Sequence, residues 1–131
     1  MREGTKKSRK GLIITLSVLG VLAIAVILWF TVFANIMKYH DAKSKLETGE
    51  FDTAITLFSE LGNYGDAPDM VKESNYQKAG MYYERGGFET ALKIYTSLEN
   101  YKDSKQLSME SKYLLVKSLF EDNRPEDALA Y

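Results

Sequence analysis

The chain has 131 residues, of which 45% are hydrophobic and 27% charged, a size that suits one small domain with an additional segment. It contains no cysteine, so disulfide frameworks, cysteine-ligated zinc sites and thiol nucleophiles are excluded. The net charge of −1 hides an uneven distribution: residues 1–10 contain five basic residues and one acidic residue, whereas residues 35–131 contain 12 Lys or Arg and 17 Asp or Glu. The acidic character of residues 35–131 argues against nucleic-acid binding.

The first ten residues form a basic tail. A cluster of Lys and Arg next to an apolar stretch is attracted to anionic lipid surfaces. Basic residues accumulate on the cytoplasmic side of membrane spans, so residues 1–10 are predicted to be a cytoplasmic tail. Three lysines also follow the apolar stretch, which weakens this bias without reversing it: Lys38, Lys43 and Lys45.

Residues 11–34 form an uncharged apolar stretch of 24 residues. A helix rises about 1.5 Å per residue, so roughly 20 apolar residues cross the hydrocarbon layer of a bilayer. Backbone polar groups in lipid must bond within the segment, so a single span is helical. Trp29 and Phe30 lie near its C-terminal end, where aromatic rings favour the membrane interface. The stretch predicts one transmembrane helix, with the lipid bilayer as its partner.

A cleaved signal peptide is the competing interpretation of residues 11–34. Its apolar region normally spans about 7–15 residues and ends at a small-x-small site. The sequence Ala23-Ile24-Ala25 fits that site, but more apolar residues follow it. The pattern therefore favours an uncleaved signal anchor in a plasma or inner membrane, with the domain after it on the extracytoplasmic side.

The remaining sequence repeats itself with a period of 37 residues. Residues 39–75 and 76–112 align without gaps, and a partial third copy occupies residues 113–131. Many matches at one fixed offset indicate a repeat architecture. The matches include Tyr39/Tyr76, Ala42/Ala79, Gly49/Gly86, Phe51/Phe88, Ala54/Ala91, Leu61/Leu98, Tyr64/Tyr101 and Asp66/Asp103.

Each copy has the pattern of a helical hairpin. Gly49 and Gly86 break one helix, and apolar residues at three- and four-residue spacing then predict a second, short amphipathic helix. Asp66 and Asp103 are predicted to be N-caps of the next helices, with side chains that accept bonds from free amides. Pro68 falls in a first turn, where a missing amide proton costs little.

These residues resemble the tetratricopeptide repeat. Together with the apolar stretch before them, they resemble a membrane-anchored repeat protein of bacterial type. The second copy supplies the family pattern of small, aromatic, turn and apolar positions with Ala79, Tyr82, Gly86, Phe88, Ala91, Tyr95 and Leu98. The resemblance implies an all-α fold in residues 38–131, a solenoid of stacked helical hairpins. The period of 37 exceeds the family's 34, and we expect the extra residues in the connector between hairpins. The third copy is only a fragment, so a longer array or a partner that covers its last helices is expected.

Catalytic chemistry finds little support. His40 is the only histidine, and the carboxylates recur with the repeat, as on a solvated helix face. No phosphate-binding glycine loop or calcium loop is present in the sequence. We expect no enzyme activity, no cofactor and no metal site, and an enzyme with an unrecognised carboxylate pair ranks last among the hypotheses.

The resemblance implies a binding groove lined by the first helix of each repeat. Tyrosine suits such a surface, because it offers a large area and a polar tip. The competing interpretation, which the spacing favours, is that these rings pack between hairpins as core. The predicted partner-binding residues are Tyr39, Lys43, Tyr76, Tyr83, Tyr113, Lys117 and Phe120.

The sequence as a whole predicts a membrane-anchored adaptor or scaffold that mediates protein–protein interaction. The helical domain begins about one helix turn after the span, so its protein or peptide partner is expected to be membrane-associated. The alternative is a structural accessory subunit of a membrane complex, in which case the chain forms part of an oligomer.

Overall fold

The computed structural model describes the backbone of residues 4–131 and the side chains of residues 9–131. All regular secondary structure in this part of the chain is helical, so the all-α prediction is confirmed there. The helices are α1 (Gly4–Glu47), α2 (Phe51–Glu60), α3 (Ala67–Glu84), α4 (Phe88–Ser97), α5 (Ser104–Glu121) and α6 (Pro125–Ala128).

The predicted membrane span, residues 11–34, lies within α1. Its large apolar side chains are exposed, with Leu12 at 61% and Trp29 at 63% of full exposure. The hydroxyls of Thr15, Ser17 and Thr31 donate to carbonyls of the preceding turn, so each is satisfied without water. Length and composition are compatible with a single-pass membrane anchor, and a signal sequence or the core helix of a soluble protein meets the same criteria.

The chain divides into two compact units, Met1–Met37 and Lys38–Tyr131. In the second unit each helix from α2 onward packs against the next one along the chain: α2 on α3, α3 on α4, α4 on α5 and α5 on α6. The C-terminal part of α1 contributes Ala42 and Leu46 to the same core as Ala54 and Phe58 of α2. Consecutive helices therefore form the second unit mainly through contacts between chain neighbours.

A residue with a left-handed backbone conformation follows each of the longer helices. Gly49 follows α1 and Gly86 follows α3, both with φ of +78°, and Asn123 follows α5 with φ of +58°. Glycine adopts this conformation without a Cβ clash, and asparagine tolerates it better than most residues, so both end helices. These three positions are 37 residues apart, and the short helices α2, α4 and α6 begin two residues after them.

Alanine and single aromatic rings fill the core of the second unit. Ala42, Ala54 and Ala67 are fully buried around Phe58, and Ala79 and Ala91 are fully buried beside Tyr95. The small residues let helices approach closely. Burial of a ring the size of Phe58 stabilises the fold by roughly 1.5–3 kcal/mol relative to an exposed ring.

The prediction for the aspartate N-caps is right in position and wrong in chemistry. Asp66 and Asp103 occupy the N-cap positions of α3 and α5, and Pro68 lies in the first turn of α3. Neither aspartate side chain caps its helix, because the backbone at both residues has φ of −99° and ψ near 17°, outside the extended region of capping residues. Their carboxylates bond to tyrosines instead.

Candidate functional site: an aromatic groove on α3

Two tyrosines each join one long helix to the start of the next long helix: Tyr39 of α1 to the start of α3, and Tyr76 of α3 to the start of α5. The Tyr39 hydroxyl donates to Asp66 Oδ1 at 2.6 Å, and the Tyr76 hydroxyl donates to Asp103 Oδ1 at 2.6 Å. The bond to the Asp103 carboxylate, with burial as the second cause, raises the pKa of Tyr76 to about 12. The sequence placed both tyrosines among the partner-binding residues, and the structure gives both a packing role.

Both rings also pack on other aromatic rings at their helix junctions. Tyr39 meets Phe58 edge-to-face with ring centroids 5.6 Å apart, and Tyr76 meets Tyr95 in the same way at 5.8 Å. Such pairs contribute about 0.5–1.5 kcal/mol beyond area burial. The rings of the connector residues Tyr64 and Tyr101 lie 6.3 and 6.0 Å from Tyr39 and Tyr76, respectively.

Glu73 accepts hydrogen bonds from two residues of the connector between α4 and α5 and from one residue of its own helix. It accepts hydrogen bonds from the Tyr101 hydroxyl at 2.7 Å, Lys102 Nζ at 2.5 Å and Gln77 Nε2 at 3.0 Å. Burial opposes ionisation of Glu73, but these three donors hold its pKa below the usual range. The ammonium of Lys102 also lies 4.7 Å from the Tyr76 ring centroid, within cation–π range.

An open groove follows α3 on the side of Tyr76 and Tyr83. We call it the aromatic groove. Its volume of about 440 Å³ falls in the range of small-ligand sites, roughly 300–1,000 Å³. It is lined by Phe51, Tyr76, Gly80, Tyr83, Glu84 and Tyr95, with Gln77 and Met81 completing the wall.

Gly80 lines the aromatic groove next to the Tyr95 hydroxyl. A Cβ atom added at Gly80 would lie 3.5 Å from the Tyr95 hydroxyl, in ordinary contact. The Tyr95 side chain is only 3% exposed, and its hydroxyl has no hydrogen-bond partner among the described residues. On the next turn, the Tyr83 hydroxyl donates to Glu110 Oε1 at 2.7 Å. The groove thus presents aromatic rings with polar tips.

The seven predicted partner-binding residues fall into two groups. Tyr39, Tyr76 and Tyr83 are half-buried and bonded to carboxylates, and only Tyr76 and Tyr83 share the groove. The other four are exposed: Lys43, Tyr113 at 66%, Lys117, which lies 3.8 Å from Glu121, and Phe120 at 60%. The structure does not bring all seven to one site.

Sequence reasoning missed Tyr95 and Glu84 as groove residues. Tyr95 belongs to the apolar stripe of α4 and was predicted to be core, which is correct for its ring. The available signal was a difference between copies: Tyr95 stands where the first copy has Phe58, and Gly80 stands where the other copies have Lys43 and Lys117.

Metal ligation has no support in the part of the chain that the structure describes. No group of three or more His, Asp or Glu side chains there could hold an ion. His40 is exposed.

Comparison of the chain with protein-family models, with curated proteins and with solved structures gave no significant match.

Proposed function

We propose that this protein is a membrane-anchored helical-repeat adaptor that binds a segment of a membrane-associated protein. Residues 11–34 anchor it, the N-terminus is cytoplasmic, and residues 38–131 form an extracytoplasmic tetratricopeptide-like array. The observation that carries the proposal is the aromatic groove, an open surface on α3 with the rings of Tyr76 and Tyr83. In the family that the sequence resembles, the corresponding helices line the binding groove.

The repeat part of the proposal is supported by contacts that recur 37 residues apart. The pairs Tyr39–Asp66 and Tyr76–Asp103 have the same partners and the same distance. Ser74 and Ser111 are both fully buried and donate to the carbonyl four residues earlier at 2.7 Å. Identical contacts at one offset are what stacked copies of a single unit require.

Site-specific photo-crosslinking in intact membranes tests the adaptor function. A photoreactive residue at Gln77, which lines the groove, is compared with one at Lys72, which is also exposed on α3. Five residues correspond to about 500°, so the two positions point about 140° apart around the helix. We expect a discrete crosslinked partner from Gln77 and none from Lys72. Equal products from both positions, or none from Gln77, would contradict the proposal.

A groove-filling variant sharpens this experiment. Gly80→Lys introduces the residue that the other copies carry as Lys43 and Lys117, and the only neighbour that a Cβ atom at position 80 would meet within 4 Å is the Tyr95 hydroxyl, at 3.5 Å. The substitution should keep the fold, because glycine inside a helix is about 1 kcal/mol less favourable than ordinary residues. We expect the Gln77 crosslink to disappear in Gly80→Lys and to persist in Gly80→Ala.

A structural accessory subunit is the second candidate function. The observation that favours it is a set of large apolar side chains left exposed on the last helices, Tyr113, Phe120 and Leu129, the last at 88% exposure. Size measurement of the detergent-solubilised chain distinguishes the candidates. If the wild-type chain is a monomer, and the Tyr113→Ser/Phe120→Ser double variant has the same size, the result counts against the subunit role.

A further inference from the structure

The Tyr95 hydroxyl is an unsatisfied polar group at the base of the aromatic groove. Among the described residues, Ser104 Oγ is the one fully buried side-chain polar atom without a partner. The Tyr95 hydroxyl also has no hydrogen-bond partner, but it is not fully buried and retains contact with solvent. The only side-chain atom that a Cβ at position 80 would approach within 4 Å is this hydroxyl, at 3.5 Å, so the missing side chain of Gly80 leaves it uncovered.

Two differences between the copies coincide at this point. The first copy has Lys43 and Phe58 where the second has Gly80 and Tyr95. The second copy therefore lacks a lysine and carries an additional hydroxyl at the same place. A ligand that enters here finds room for a long side chain and a hydrogen-bonding group below it.

Negative charge surrounds the groove. Glu84, one turn after Gly80, lines it, and the carboxylates of Asp103 and Glu110 lie behind the hydroxyls of Tyr76 and Tyr83. Burial and then the charges of Asp103 and Glu84 raise the pKa of Tyr95, so the phenol stays protonated at neutral pH.

The lysines next to the groove are already paired. Lys102 bonds to Glu73 at 2.5 Å, and Lys78 bonds to Asp52. Lys102 also shows that the Tyr76 ring accepts an ammonium, since its Nζ lies 4.7 Å from that ring's centroid. The groove itself thus combines aromatic faces, an unpaired hydroxyl and an exposed carboxylate, the set that recognises a cation.

We propose that the aromatic groove holds one lysine or arginine side chain of the partner segment above Gly80. The proposal rests on the adaptor function and names the chemistry of its partner. The aliphatic stem lies between Phe51 and Tyr83, and the cationic group donates to the Tyr95 hydroxyl and the Glu84 carboxylate. A partner carboxylate is disfavoured there, because Glu84, Asp103 and Glu110 would repel it.

Peptide titration of the full chain in detergent tests the subsite directly. The probes are acetyl-Ala-Ala-Xaa-Ala-Ala-amide peptides with Lys, Arg, norleucine or Glu at the centre, and the readout is the amide NMR signal of Gly80. We expect Lys and Arg probes to shift that signal and to bind about tenfold more tightly than the norleucine probe, since hydrogen bonds to charged groups contribute about 1.5–3 kcal/mol. Equal binding of norleucine, preference for Glu, or no shift with any probe would overturn the proposal.

Two conservative variants identify the groups involved. Tyr95→Phe reproduces the residue of the first copy and keeps the buried ring, and Glu84→Gln removes an exposed charge. Each should weaken the Lys probe by about fivefold, which corresponds to a net hydrogen bond of about 1 kcal/mol. Unchanged binding in both variants would contradict the assignment.

Crosslinking separates failure of the subsite from failure of the adaptor function. If Gly80→Lys abolishes the Gln77 crosslink while Tyr95→Phe and Glu84→Gln leave it at wild-type level, the groove binds a partner without a cation subsite. If no partner crosslinks from Gln77 in the unmodified chain, the adaptor function itself is wrong.

Discussion

Ser104 carries a buried hydroxyl that the fold does not use. It is the first residue of α5, its side chain is fully buried, and Oγ has no partner among the described residues. The first copy has Ala67 at the equivalent position, also fully buried. A buried polar group without a hydrogen bond costs about 1–3 kcal/mol, so this position stores an avoidable loss of stability.

Ser104→Ala should therefore stabilise the protein by about 1 kcal/mol, since it removes the desolvated hydroxyl and leaves the packing of the first copy. Urea unfolding of the full chain in mild detergent, followed by circular dichroism, measures the change. Ser111→Ala is the matched control, because Ser111 Oγ donates to the Leu107 carbonyl at 2.7 Å and its loss brings no gain. Stability of Ser104→Ala at or below the wild-type value would contradict the prediction.

Tyr76 gives the protein a dependence on high pH. In the folded state the hydrogen bond from its hydroxyl to Asp103 raises the pKa of the Tyr76 phenol to about 12, above the usual value of 10.0. Between these values the unfolded phenol has lost its proton and the folded one retains it. The stabilisation is complete below about pH 10 and is lost as the pH rises through about 12.

Asp103→Asn should bring the pKa of Tyr76 down towards 10, because it removes the carboxylate whose hydrogen bond and charge both favour the protonated phenol. NMR titration of the chain with ring-labelled tyrosine measures this shift. Tyr101 serves as internal control: its pKa is also about 12, but its causes are burial and the bond to Glu73. A Tyr76 pKa that stays near 12 in the variant would assign the shift to burial instead.

At the scale of elements, the connectors of the two copies keep one backbone path with different residues. Gly62 and Gly65 have φ of +56° in the first connector, while Glu99 and Lys102 occupy the equivalent positions with φ of +52° and +49°. Residues with a side chain lose roughly 1–2 kcal/mol in the left-handed region. Lys102 has a compensating ion pair with Glu73. The Glu99 carboxylate forms no hydrogen bond or ion pair with the described side chains, so nothing of that kind compensates there.

Glu99→Gly should raise the free energy of unfolding by up to about 1 kcal/mol, since relief of left-handed strain outweighs the added entropy of the unfolded chain. The same urea experiment applies. Glu99→Ala separates backbone from charge: it removes the carboxylate, keeps the Cβ, and should leave stability near the wild-type value. A gain of the same size in both variants would point to charge and not to the backbone.

Helix positions were predictable from the sequence, and side-chain partners were not. Gly49 and Gly86 break the apolar period, so the starts of α2 at Phe51 and α4 at Phe88 follow from local chain chemistry. The bond from Tyr76 to Asp103 joins residues 27 positions apart, and no local pattern specifies it. The aspartate was therefore assigned to the nearest free amides, and the hydroxyl of Tyr95 was treated as part of a core ring.

At the scale of the whole molecule, the absence of cysteine from the sequence offers a direct test of orientation. A single cysteine introduced at Asn100, an exposed connector residue, should react with a membrane-impermeant maleimide in intact cells. One introduced at Thr5 in the basic tail should react only after the membrane is opened, because the Lys/Arg bias predicts a cytoplasmic N-terminus. The reverse pattern would place residues 38–131 in the cytoplasm.

The spans of the Tyr39–Asp66 and Tyr76–Asp103 bonds also bear on the order of folding. Apart from bonds within a helix or its adjoining turn, the side-chain hydrogen bonds of Lys38–Tyr131 join residues 22 to 29 positions apart. Each contact can therefore close once fewer than 30 further residues have been synthesised. The contacts of Tyr39 with Phe58 and Asp66 can therefore form while the C-terminal residues are still in the ribosome, so Lys38–Tyr131 can fold progressively from its N-terminal end.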